Sequence, residues 1–359
     1  MGAVSLPRTM RAWRRFGAHD VRLVEVDRPE PGPGDVLLRP LVSGVCGTDV
    51  HVLHGEGLGE LPVPLTMGHE VCGEVVALGP GADAVGPYPR TAAALRIGER
   101  VVVEPVLPCG TCYFCRRGHP NVCPRMSHLG VWRDGNYADY VSVPAWRATR
   151  LPAAVDDVSG LLVEVGACGL NCVDQAQLKP GETALVIGGG PMGHMAAQCL
   201  LASGAGLVML SEPSPERRAL ATRAGVHVTL APDADEVVER VRELTGGLGA
   251  DVVVECVGVP ATVRQAIAAT RRRGRCVLNG LPSLPVELDV SDVVFGEKHV
   301  LGSLASAWQF ERAIDLICAG RLRPRLMVEA PRAFEELPQA LADARDRRDL
   351  GKIVVAHSG

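Results

Sequence analysis

Between residues 183 and 304 the sequence alternates short β-branched runs with helical stretches, and this alternation constrains the fold more than any other feature. The strand-like runs are apolar without polar alternation, which is typical of parallel strands covered on both faces. The stretch 183–210 contains no Asp, Glu, Lys or Arg, but six glycines and a proline interrupt it. A strand, tight turn, helix and second strand explain it better than a membrane span. The pattern predicts a doubly wound α/β domain with a parallel sheet.

A glycine-rich turn, VIGGGPMG, follows the first of these strands and opens a helix. Its glycines have the GxGxxG spacing, which permits a tight turn and close approach of the backbone to a pyrophosphate at the helix N-terminus. Glu212 ends the second strand, where a carboxylate accepts hydrogen bonds from both ribose hydroxyls and repels a 2′-phosphate, so NAD is favoured over NADP. Arg217 and Arg218 follow closely and would weaken this preference. The predicted cofactor-binding residues are Gly188, Gly190, Pro191, Met192, Gly193, Glu212 and Arg217.

The rest of the chain differs from this domain. The first 160 residues are rich in Gly and Pro with short strand-like runs, which predicts an irregular, mostly β domain. After Trp308 come two helices and a last strand, too few elements for a separate core, so we expect this tail to pack on the N-terminal domain. The predicted division is 1–164, 165–304 and 305–359.

Composition limits the function classes. The 359 residues carry a formal net charge of −4, which gives no electrostatic reason to expect nucleic acid or an anionic membrane as partner. The basic run at 271–275 is interpreted as a solvated helix end before a strand. No apolar run of signal-peptide length follows the N-terminal arginines, so we expect a cytoplasmic protein. In that reducing compartment clustered cysteines bind metal or do redox chemistry more often than they form disulfides.

Four cysteines lie within fifteen residues in the segment CGTCYFCRRGHPNVC. Their spacing, Cys-x2-Cys-x2-Cys-x7-Cys, lets four thiolates converge tetrahedrally on one ion, and a shell filled by protein sulfurs leaves no position for water or substrate. The segment, at about 105–125, therefore predicts a structural zinc site. An iron–sulfur cluster and four unliganded thiols are the alternatives. The predicted ligands are Cys109, Cys112, Cys115 and Cys123.

A second group of candidate ligands lies upstream. The segment GVCGTDVH supplies Cys46, Thr48, Asp49 and His51, and MGHEVCGE supplies His69, Glu70 and Glu74. One thiolate, one imidazole and a carboxylate match the mixed ligand set of a catalytic zinc, which keeps one position open. Each motif alone is weak, because a single Cys or His is more often a packed core residue.

Five motifs in order, CGTDVH, GHEVCGEVVALG, the four-cysteine segment, GGGPMG and TGGLGADVVVECVG, resemble the zinc-dependent medium-chain alcohol dehydrogenase family. The resemblance runs from about Met10 to the last strand. It implies a GroES-like catalytic domain built from both chain ends, with a Rossmann domain inserted between them. It also implies one catalytic and one structural zinc per chain, NAD as cofactor, and a homodimer or homotetramer.

The polyol, butanediol and threonine dehydrogenase branch is the most similar part of this family. Relatives there place a glutamate about 24 residues before the first glycine of the nucleotide loop, and this chain has Glu164 at that spacing. They usually continue Glu-Pro, whereas this chain reads Glu164-Val165, with Cys168 one turn further on the same helix face. The resemblance thus implies Glu164 near the catalytic metal, with Cys168 as the alternative. It further implies a proton relay from Thr48 through the nicotinamide ribose to His51 at the surface, and Glu70 either binding zinc directly or exchanging with water.

These features predict oxidation of a secondary alcohol, polyol, aminocyclitol or amino alcohol to the carbonyl compound. One alternative is a carbonyl reductase that uses NADPH. Another is a non-catalytic zinc protein that binds a nucleotide. The segment 81–97 is longer than the usual connection in the family and is predicted to be a surface loop.

Overall fold

The computed structural model describes residues 6–82, 94–232, 236–281, 284–347, 349 and 351–357. The chain divides into two compact units. Unit 1 comprises Met1–Glu164, Ala330–Arg347 and Ile353–Gly359, and unit 2 comprises Val165–Glu329 and Arg348–Lys352. None of the helices in the described residues is long and apolar enough to cross a membrane.

The N-terminal half of the chain is mostly β structure. Its elements are β1 (Thr9–Gly17), β2 (Asp20–Asp27), β3 (Asp35–Val45), α1 (Gly47–His54), β4 (Leu65–Thr66), β5 (Glu70–Leu78), β6 (Arg100–Val103), β7 (Val106–Leu107), β8 (Ser127–His128), β9 (Val141–Pro144), β10 (Ala148–Arg150), α2 (Asp157–Leu161) and α3 (Val163–Ala176).

Strands and helices then alternate through unit 2. They are β11 (Thr183–Ile187), α4 (Pro191–Ala202), β12 (Leu207–Ser211), α5 (Pro215–Arg223), β13 (Val228–Leu230), α6 (Val237–Leu244), β14 (Ala250–Glu255), α7 (Pro260–Ala269), β15 (Thr270–Leu278), α8 (Val290–Gly296), β16 (His299–Gly302) and α9 (Phe310–Cys318). The chain returns to unit 1 with β17 (Arg332–Ala333), α10 (Leu337–Asp346) and β18 (Ile353–Ala356). Short 3₁₀ helices occupy Cys115–Arg117, Pro120–Val122, Ala145–Arg147, Pro324–Met327 and Phe334–Glu336.

Unit 1 is organised around a seven-stranded sheet of order β10-β6-β5-β3-β18-β17, with β9 also paired to β3. A three-stranded sheet, β2-β1-β4, and a two-stranded sheet, β7-β8, accompany it. Valines and leucines from β3, β5, β6 and β9 form its core, including Val36, Leu38, Val71, Val75, Val101, Val103, Val141 and Val143. The C-terminal strand β18 pairs antiparallel with β3, so both chain ends contribute to one sheet.

Unit 2 is built on a six-stranded parallel sheet of order β13-β12-β11-β14-β15-β16. The order reverses between β11 and β14, and ligands of doubly wound sheets bind at such a switch point, at the carboxyl ends of the strands. Its core includes Leu185, Ile187, Met209, Leu230, Val253 and Cys276. The mixed α/β architecture predicted from the strand and helix alternation is confirmed.

Two features of unit 2 differ from the sequence-based expectation. Residues 305–329, expected to pack on the N-terminal domain, belong to unit 2. The reason is a contact between distant residues: Gln309 and Arg312, at the start of α9, bind the carboxylate of Asp174 in α3 at 3.0 and 2.9 Å. The prediction of a helix end at 271–275 was wrong, because these residues lie in β15.

Ion pairs keep the basic run of β15 in the strand. Arg271 Nε lies 2.6 Å from Asp251 Oδ1, and Arg275 Nη2 lies 2.7 Å from Glu182 Oε1. Most of the predicted surface loop at 81–97, namely residues 83–93, lies outside the described residues.

Candidate functional site

The first group of predicted ligands meets where β3 ends and β5 begins. Cys46 follows β3, while His69 and Glu70 stand at the start of β5, and the antiparallel register pairs Gly44 with Glu70. This pairing brings the two segments side by side. The ligand atoms of Cys46, His69 and Glu70 all lie within 4.8 Å of one another. His69 and Glu70 are buried and Cys46 is half-buried.

Asp49 orients this group from behind. Its Oδ1 lies 3.1 Å from His69 Nδ1, and its Oδ2 accepts a hydrogen bond from the backbone N–H of Cys46 at 2.8 Å. Burial opposes ionisation of Asp49, but His69 and the bonds to Cys46 N–H and the Tyr137 hydroxyl keep the pKa of the carboxyl below its usual value. Asp49 is therefore a buried carboxylate.

The pKa of His69 is shifted in the opposite direction. Burial disfavours its charged form, but the charge and hydrogen bond of Asp49, together with a hydrogen bond to Cys46, hold the pKa well above its usual value. An imidazole held by a carboxylate through Nδ1 presents Nε2 as a metal donor, the usual arrangement behind zinc-binding histidines. A thiolate, this imidazole and a carboxylate fit a zinc with one open position.

The predicted relay residues both lie on α1. Thr48 Oγ1 is 3.8 Å from Cys46 Sγ, so its hydroxyl lies beside the ligand group. His51 stands three residues further along the same helix and is half-buried. Helical spacing puts residues three apart on one face.

Glu164 is not brought into this group. It lies in the first turn of α3 with 8% of its surface exposed, and Cys168 follows one turn later, also buried. Among the described residues, the cluster of potential ligands contains Cys46, His69 and Glu70 and neither of these two.

The four cysteines form the second group. The Sγ atoms of Cys109, Cys112, Cys115 and Cys123 all lie within 4.8 Å of one another. Backbone N–H groups of Cys109 and Cys115 donate to the sulfurs of Cys123 and Cys112 at 3.4 and 3.5 Å. Four converging sulfurs supported by N–H donors fit one tetrahedral zinc.

Backbone hydrogen bonds lower the pKa of Cys109 and Cys112 and favour their thiolates, whereas burial and the bond to Cys112 raise the pKa of Cys115 to about 12. Backbone hydrogen bonds from Thr111 and Cys112 lower the pKa of Cys109 to about 5. Arg125 Nη2, which is exposed, lies 3.3 Å from Cys109 Sγ and 3.1 Å from Thr111 Oγ1. All of these partners come from the same short segment of chain.

The predicted nucleotide loop lies between β11 and α4. Gly188 has φ +95°, and a Cβ there would be 2.6 Å from Val257 Cγ2. A Cβ on Gly193 would be 1.8 Å from the carbonyl oxygen of Gly188. Gly190 precedes α4, which begins with Pro191 and Met192. A Cβ on Gly190 would have one neighbour within 4 Å among the described atoms, Arg217 Nη1 at 3.9 Å. The backbone at Gly190 is therefore open to a phosphate.

Glu212 follows β12 and contacts this loop. Its Oε2 accepts a hydrogen bond from Gly189 N–H at 2.6 Å, and its Oε1 accepts one from Ser214 N–H at 2.9 Å. Arg217 lies in α5, and its backbone N–H donates to Ser214 Oγ at 3.2 Å. Glu212 is only 4% exposed, so the loop holds a fixed carboxylate at its edge.

The sequence pattern placed Asp49 among the candidate metal ligands and predicted no role for Tyr137. The Tyr137 hydroxyl lies 2.9 Å from Asp49 Oδ2 although the two residues are 88 positions apart. The structure places Asp49 outside the group of Cys46, His69 and Glu70, where its carboxylate holds His69 and the Cys46 backbone. No sequence signal links Tyr137 to Asp49.

Comparisons with known proteins agree with this geometry. Residues 191–319 match the family described as zinc-binding dehydrogenase, and residues 32–153 match the alcohol dehydrogenase GroES-like domain. L-threonine 3-dehydrogenase of Pyrococcus abyssi is 36% identical over 281 residues, which cover 77% of each chain.

Two solved structures have the same fold over nearly the whole chain. A zinc-binding dehydrogenase from Sinorhizobium meliloti 1021, bound to NADP, has a TM-score of 0.89 and 33% identity, covering 97% of this chain and 99% of the other. The 2R,3R-butanediol dehydrogenase of Bacillus subtilis has a TM-score of 0.84 and 31% identity, covering 97% of this chain and 99% of the other. The chain therefore belongs to the zinc-dependent medium-chain alcohol dehydrogenase family and is an oxidoreductase that acts on alcohol CH–OH groups with zinc and a nicotinamide cofactor.

Proposed function

We propose that this protein oxidises a secondary alcohol, a polyol or an amino alcohol to the corresponding carbonyl compound with NAD. The observation that carries the proposal is the convergence of Cys46, His69 and Glu70 within 4.8 Å of one another. Three protein ligands of this mixed kind leave the fourth zinc position to the substrate. A small hydroxy compound is the ligand that such an open position accepts.

In this proposal Cys46, His69 and Glu70 hold the catalytic zinc. When bound, zinc supplies a Lewis acid that favours loss of the substrate hydroxyl proton, and the nicotinamide ring accepts the hydride. Thr48, whose hydroxyl lies beside Cys46, would take up this proton while giving up its own, and His51 would release a proton to solvent. Imidazole is the side chain best suited to proton transfer near neutral pH.

Glu164 is proposed as an additional group near this zinc. Its carboxylate is buried in unit 1, the unit that also contains the three ligands. A buried carboxylate near a divalent cation adds negative charge and can orient a polar substrate. It lies outside the group of three, so we assign it a supporting position rather than a place among them.

The four-cysteine segment is proposed to hold a second, structural zinc, giving two zinc ions per chain. The protein supplies all four positions with sulfur, so no position remains for substrate. Thiols persist as metal ligands in a reducing compartment, which supports a cytoplasmic location. Elemental analysis of the purified protein is expected to find two zinc ions per chain, and one ion in a fully active preparation would contradict the proposal.

The choice of NAD over NADP is based on Glu212. This carboxylate is fixed by the N–H groups of Gly189 and Ser214 at the edge of the nucleotide loop. There it can accept hydrogen bonds from ribose hydroxyls and repels a 2′-phosphate. The test is kcat/KM for both cofactors in the unmodified protein and in Glu212→Ala.

We expect NAD to be preferred, and Glu212→Ala to reduce the preference by about 10- to 100-fold, since hydrogen bonds to charged groups contribute roughly 1.5–3 kcal/mol. The matched control is Glu216→Ala, which removes an exposed carboxylate four residues away. A preference for NADP in the unmodified protein would contradict the proposal.

One observation favours the alternative of a carbonyl reductase that uses NADPH. The Nη1 of Arg217 lies 3.9 Å from where a Cβ on Gly190 would stand, so a guanidinium is close to the proposed phosphate site. Such a cation could neutralise a 2′-phosphate. Reduction of ketones with NADPH, faster than alcohol oxidation with NAD in the same preparation, would support this alternative.

We further propose that the protein forms a homodimer or homotetramer through the β16 edge of the unit 2 sheet. This strand pairs only with β15 among the described strands. Val294, Phe295 and Val300, on α8 and β16, are 64%, 76% and 36% exposed. An open strand edge beside apolar side chains can pair with the same edge of a second copy around a two-fold axis.

Light scattering after gel filtration tests this assembly. Phe295→Asp is expected to shift the protein toward the monomer, because a charge would be buried in the interface. Leu248→Asp is the matched control, since Leu248 is also exposed, at 71%, and lies away from this edge in the turn between α6 and β14. An unmodified protein that is monomeric at micromolar concentration would contradict the proposal.

The substrate class is tested by a panel of secondary alcohols, polyols, aminocyclitols and amino alcohols. Formation of reduced cofactor is followed by absorbance. We expect turnover of compounds with a secondary hydroxyl and loss of turnover in Cys46→Ser. A panel in which no hydroxy compound is oxidised, with two zinc ions bound, would contradict the proposed reaction direction.

A further inference from the structure

We propose that the hydroxyl of Tyr137 is a positioning group for the catalytic zinc site, acting on His69 through Asp49. The inference rests on the proposed metal-binding role of Cys46, His69 and Glu70. Tyr137 touches none of the reacting atoms in this proposal, and its effect is transmitted by two successive hydrogen bonds.

The Tyr137 ring is fixed against the residue that precedes His69. Tyr137 has no exposed surface, and its backbone N–H donates to the carbonyl of Met67 at 2.9 Å. A Cβ on Gly68, which has φ +91°, would lie only 2.5 Å from Cδ1 of the ring. The aromatic ring and the backbone leading to His69 are therefore in direct contact, with no room for adjustment.

The Tyr137 hydroxyl contacts Asp49, the residue behind the ligand group. Tyr137 Oη lies 2.9 Å from Asp49 Oδ2 and 2.8 Å from the carbonyl oxygen of Gly44. Asp49 Oδ2 also accepts the backbone N–H of Cys46, and Oδ1 holds His69 Nδ1. The carboxylate is thus fixed by three partners, and two of them belong to the ligand residues.

The hydroxyl carries one proton but faces two acceptors. Donation to the ionised Asp49 is charge-assisted and stronger than donation to the Gly44 carbonyl. Without this donor, the buried Asp49 would lose one of its bonds and could rotate away from His69. Groups behind metal-binding histidines fix the ring orientation, and changing them typically costs 10- to 100-fold in metal affinity.

Asn136, the residue before Tyr137, holds the Glu70 side of the site. Asn136 Nδ2 donates to the backbone carbonyl of Glu70 at 3.0 Å and to Ser43 Oγ at 2.7 Å. Asn136 is also completely buried. One dipeptide, Asn136–Tyr137, therefore reaches both ligand residues at the start of β5, which supports a positioning role for this segment.

The test measures zinc affinity rather than activity. Tyr137→Phe keeps the ring and removes only the hydroxyl. We expect the catalytic zinc to bind about 10- to 100-fold more weakly in competition with a chelator, by the usual effect of such partners. Zinc in the four-cysteine segment should be unchanged, which provides an internal control. Tyr140→Phe, three residues further and half-buried, is the matched substitution and should change neither affinity.

A double-mutant cycle with Asp49→Asn separates positioning from general packing. If Tyr137 acts through Asp49, Tyr137→Phe should change zinc affinity by less than about threefold in the Asp49→Asn background. In that background the carboxylate that receives the Tyr137 hydrogen bond is already absent. The visible spectrum of cobalt substituted at the catalytic site should shift in Tyr137→Phe and not in Tyr140→Phe.

The outcomes distinguish this inference from the proposed function. Unmodified protein that binds no metal at the Cys46 group would overturn the proposed function itself. Unmodified protein that binds zinc there, with equal affinity and an equal cobalt spectrum in Tyr137→Phe, would overturn the role of Tyr137. An equally large effect of Tyr137→Phe in the Asp49→Asn background would also overturn it, because the effect would not pass through Asp49.

Discussion

The two ligand groups of unit 1 are built in different ways. The four cysteines come from one segment of fifteen residues, and their hydrogen-bond partners come from the same segment or, for Arg125, from two residues beyond it. The group of Cys46, His69 and Glu70 joins two segments of the chain, and a third segment, at residues 136–137, supplies partners behind them.

The surroundings of the two groups differ as well. Arg125, which lies on Cys109, is exposed, whereas Asp49 and Tyr137 are 1% and 0% exposed. A site with local ligands and exposed partners depends on the metal itself for its shape. A site with buried partners is shaped by the fold before the metal binds. We therefore expect loss of metal to affect stability at the four cysteines and catalysis at the mixed group.

The largest expected effect is on catalysis at the mixed group. His69→Ala should lower kcat/KM for the best alcohol substrate by about 10⁴-fold, because Lewis-acid stabilisation contributes several kcal/mol. One zinc of two should be lost, with little change in the urea midpoint. An active variant with a single remaining zinc would show that the mixed group is not the catalytic site.

The second-largest effect is expected on the stability of the protein, when the four-cysteine site is disrupted. Cys112→Ser should lower the free energy of unfolding by about 4 kcal/mol, because loss of a structural metal belongs to the most destabilising class of change. Urea unfolding with zinc analysis measures it. Cys318→Ser, at an exposed cysteine in unit 2, is the control and should change stability by less than about 0.5 kcal/mol. Equal stability of both variants would remove the distinction between the two groups.

A smaller effect is expected at Glu164. Glu164→Ala should lower turnover about 10- to 100-fold and weaken the catalytic metal, as loss of a supporting group typically does. Cys168→Ala should leave both nearly unchanged. If Cys168→Ala instead strips the metal, the catalytic zinc has a Cys/His/Cys ligand set and the assignment to the polyol branch is wrong.

The smallest effect is expected at the exposed partner of the four cysteines. Arg125→Ala should speed zinc release to a chelator by less than about threefold at low salt, and the difference should vanish in 1 M salt, where charges are screened within about 3 Å. Arg116→Ala removes the same charge from the same segment as the control. A salt-independent effect as large as that of Tyr137→Phe would show that both groups depend equally on their partners.

The sequence was most informative where the chemistry is local. The four-cysteine spacing predicted a cluster whose sulfurs do converge, because a short segment leaves few other arrangements. The loop at Gly188–Gly193 was equally predictable, since the close approach of Gly193 to the Gly188 carbonyl excludes any side chain. The alternation of buried strands and helices predicted the parallel sheet for the same reason: local hydrophobic patterns record burial on both faces.

Sequence reasoning was wrong where contacts between distant residues outweighed local patterns. The arginines of β15 read as a polar helix end, but ion pairs with Asp251 and Glu182 hold them in a strand. The segment containing α9 was expected to pack on the N-terminal domain, but Asp174 ties it to unit 2. None of these three acidic partners lies within the short stretch of sequence that a local pattern covers.

The sequence by itself thus determined the family and the fold class, and it predicted which segments bind metal and nucleotide. Each motif behind these inferences consists of residues that are close together in the chain. Only the tertiary structure decided that Glu70 joins Cys46 and His69, that Glu164 stays outside this group, and that Tyr137 stands behind Asp49. These relations depend on the antiparallel register of β3 and β5 and on the packing of the Tyr137 ring against Gly68. Side-chain distances across such separations follow from the packed backbone, and no spacing along the sequence encodes them.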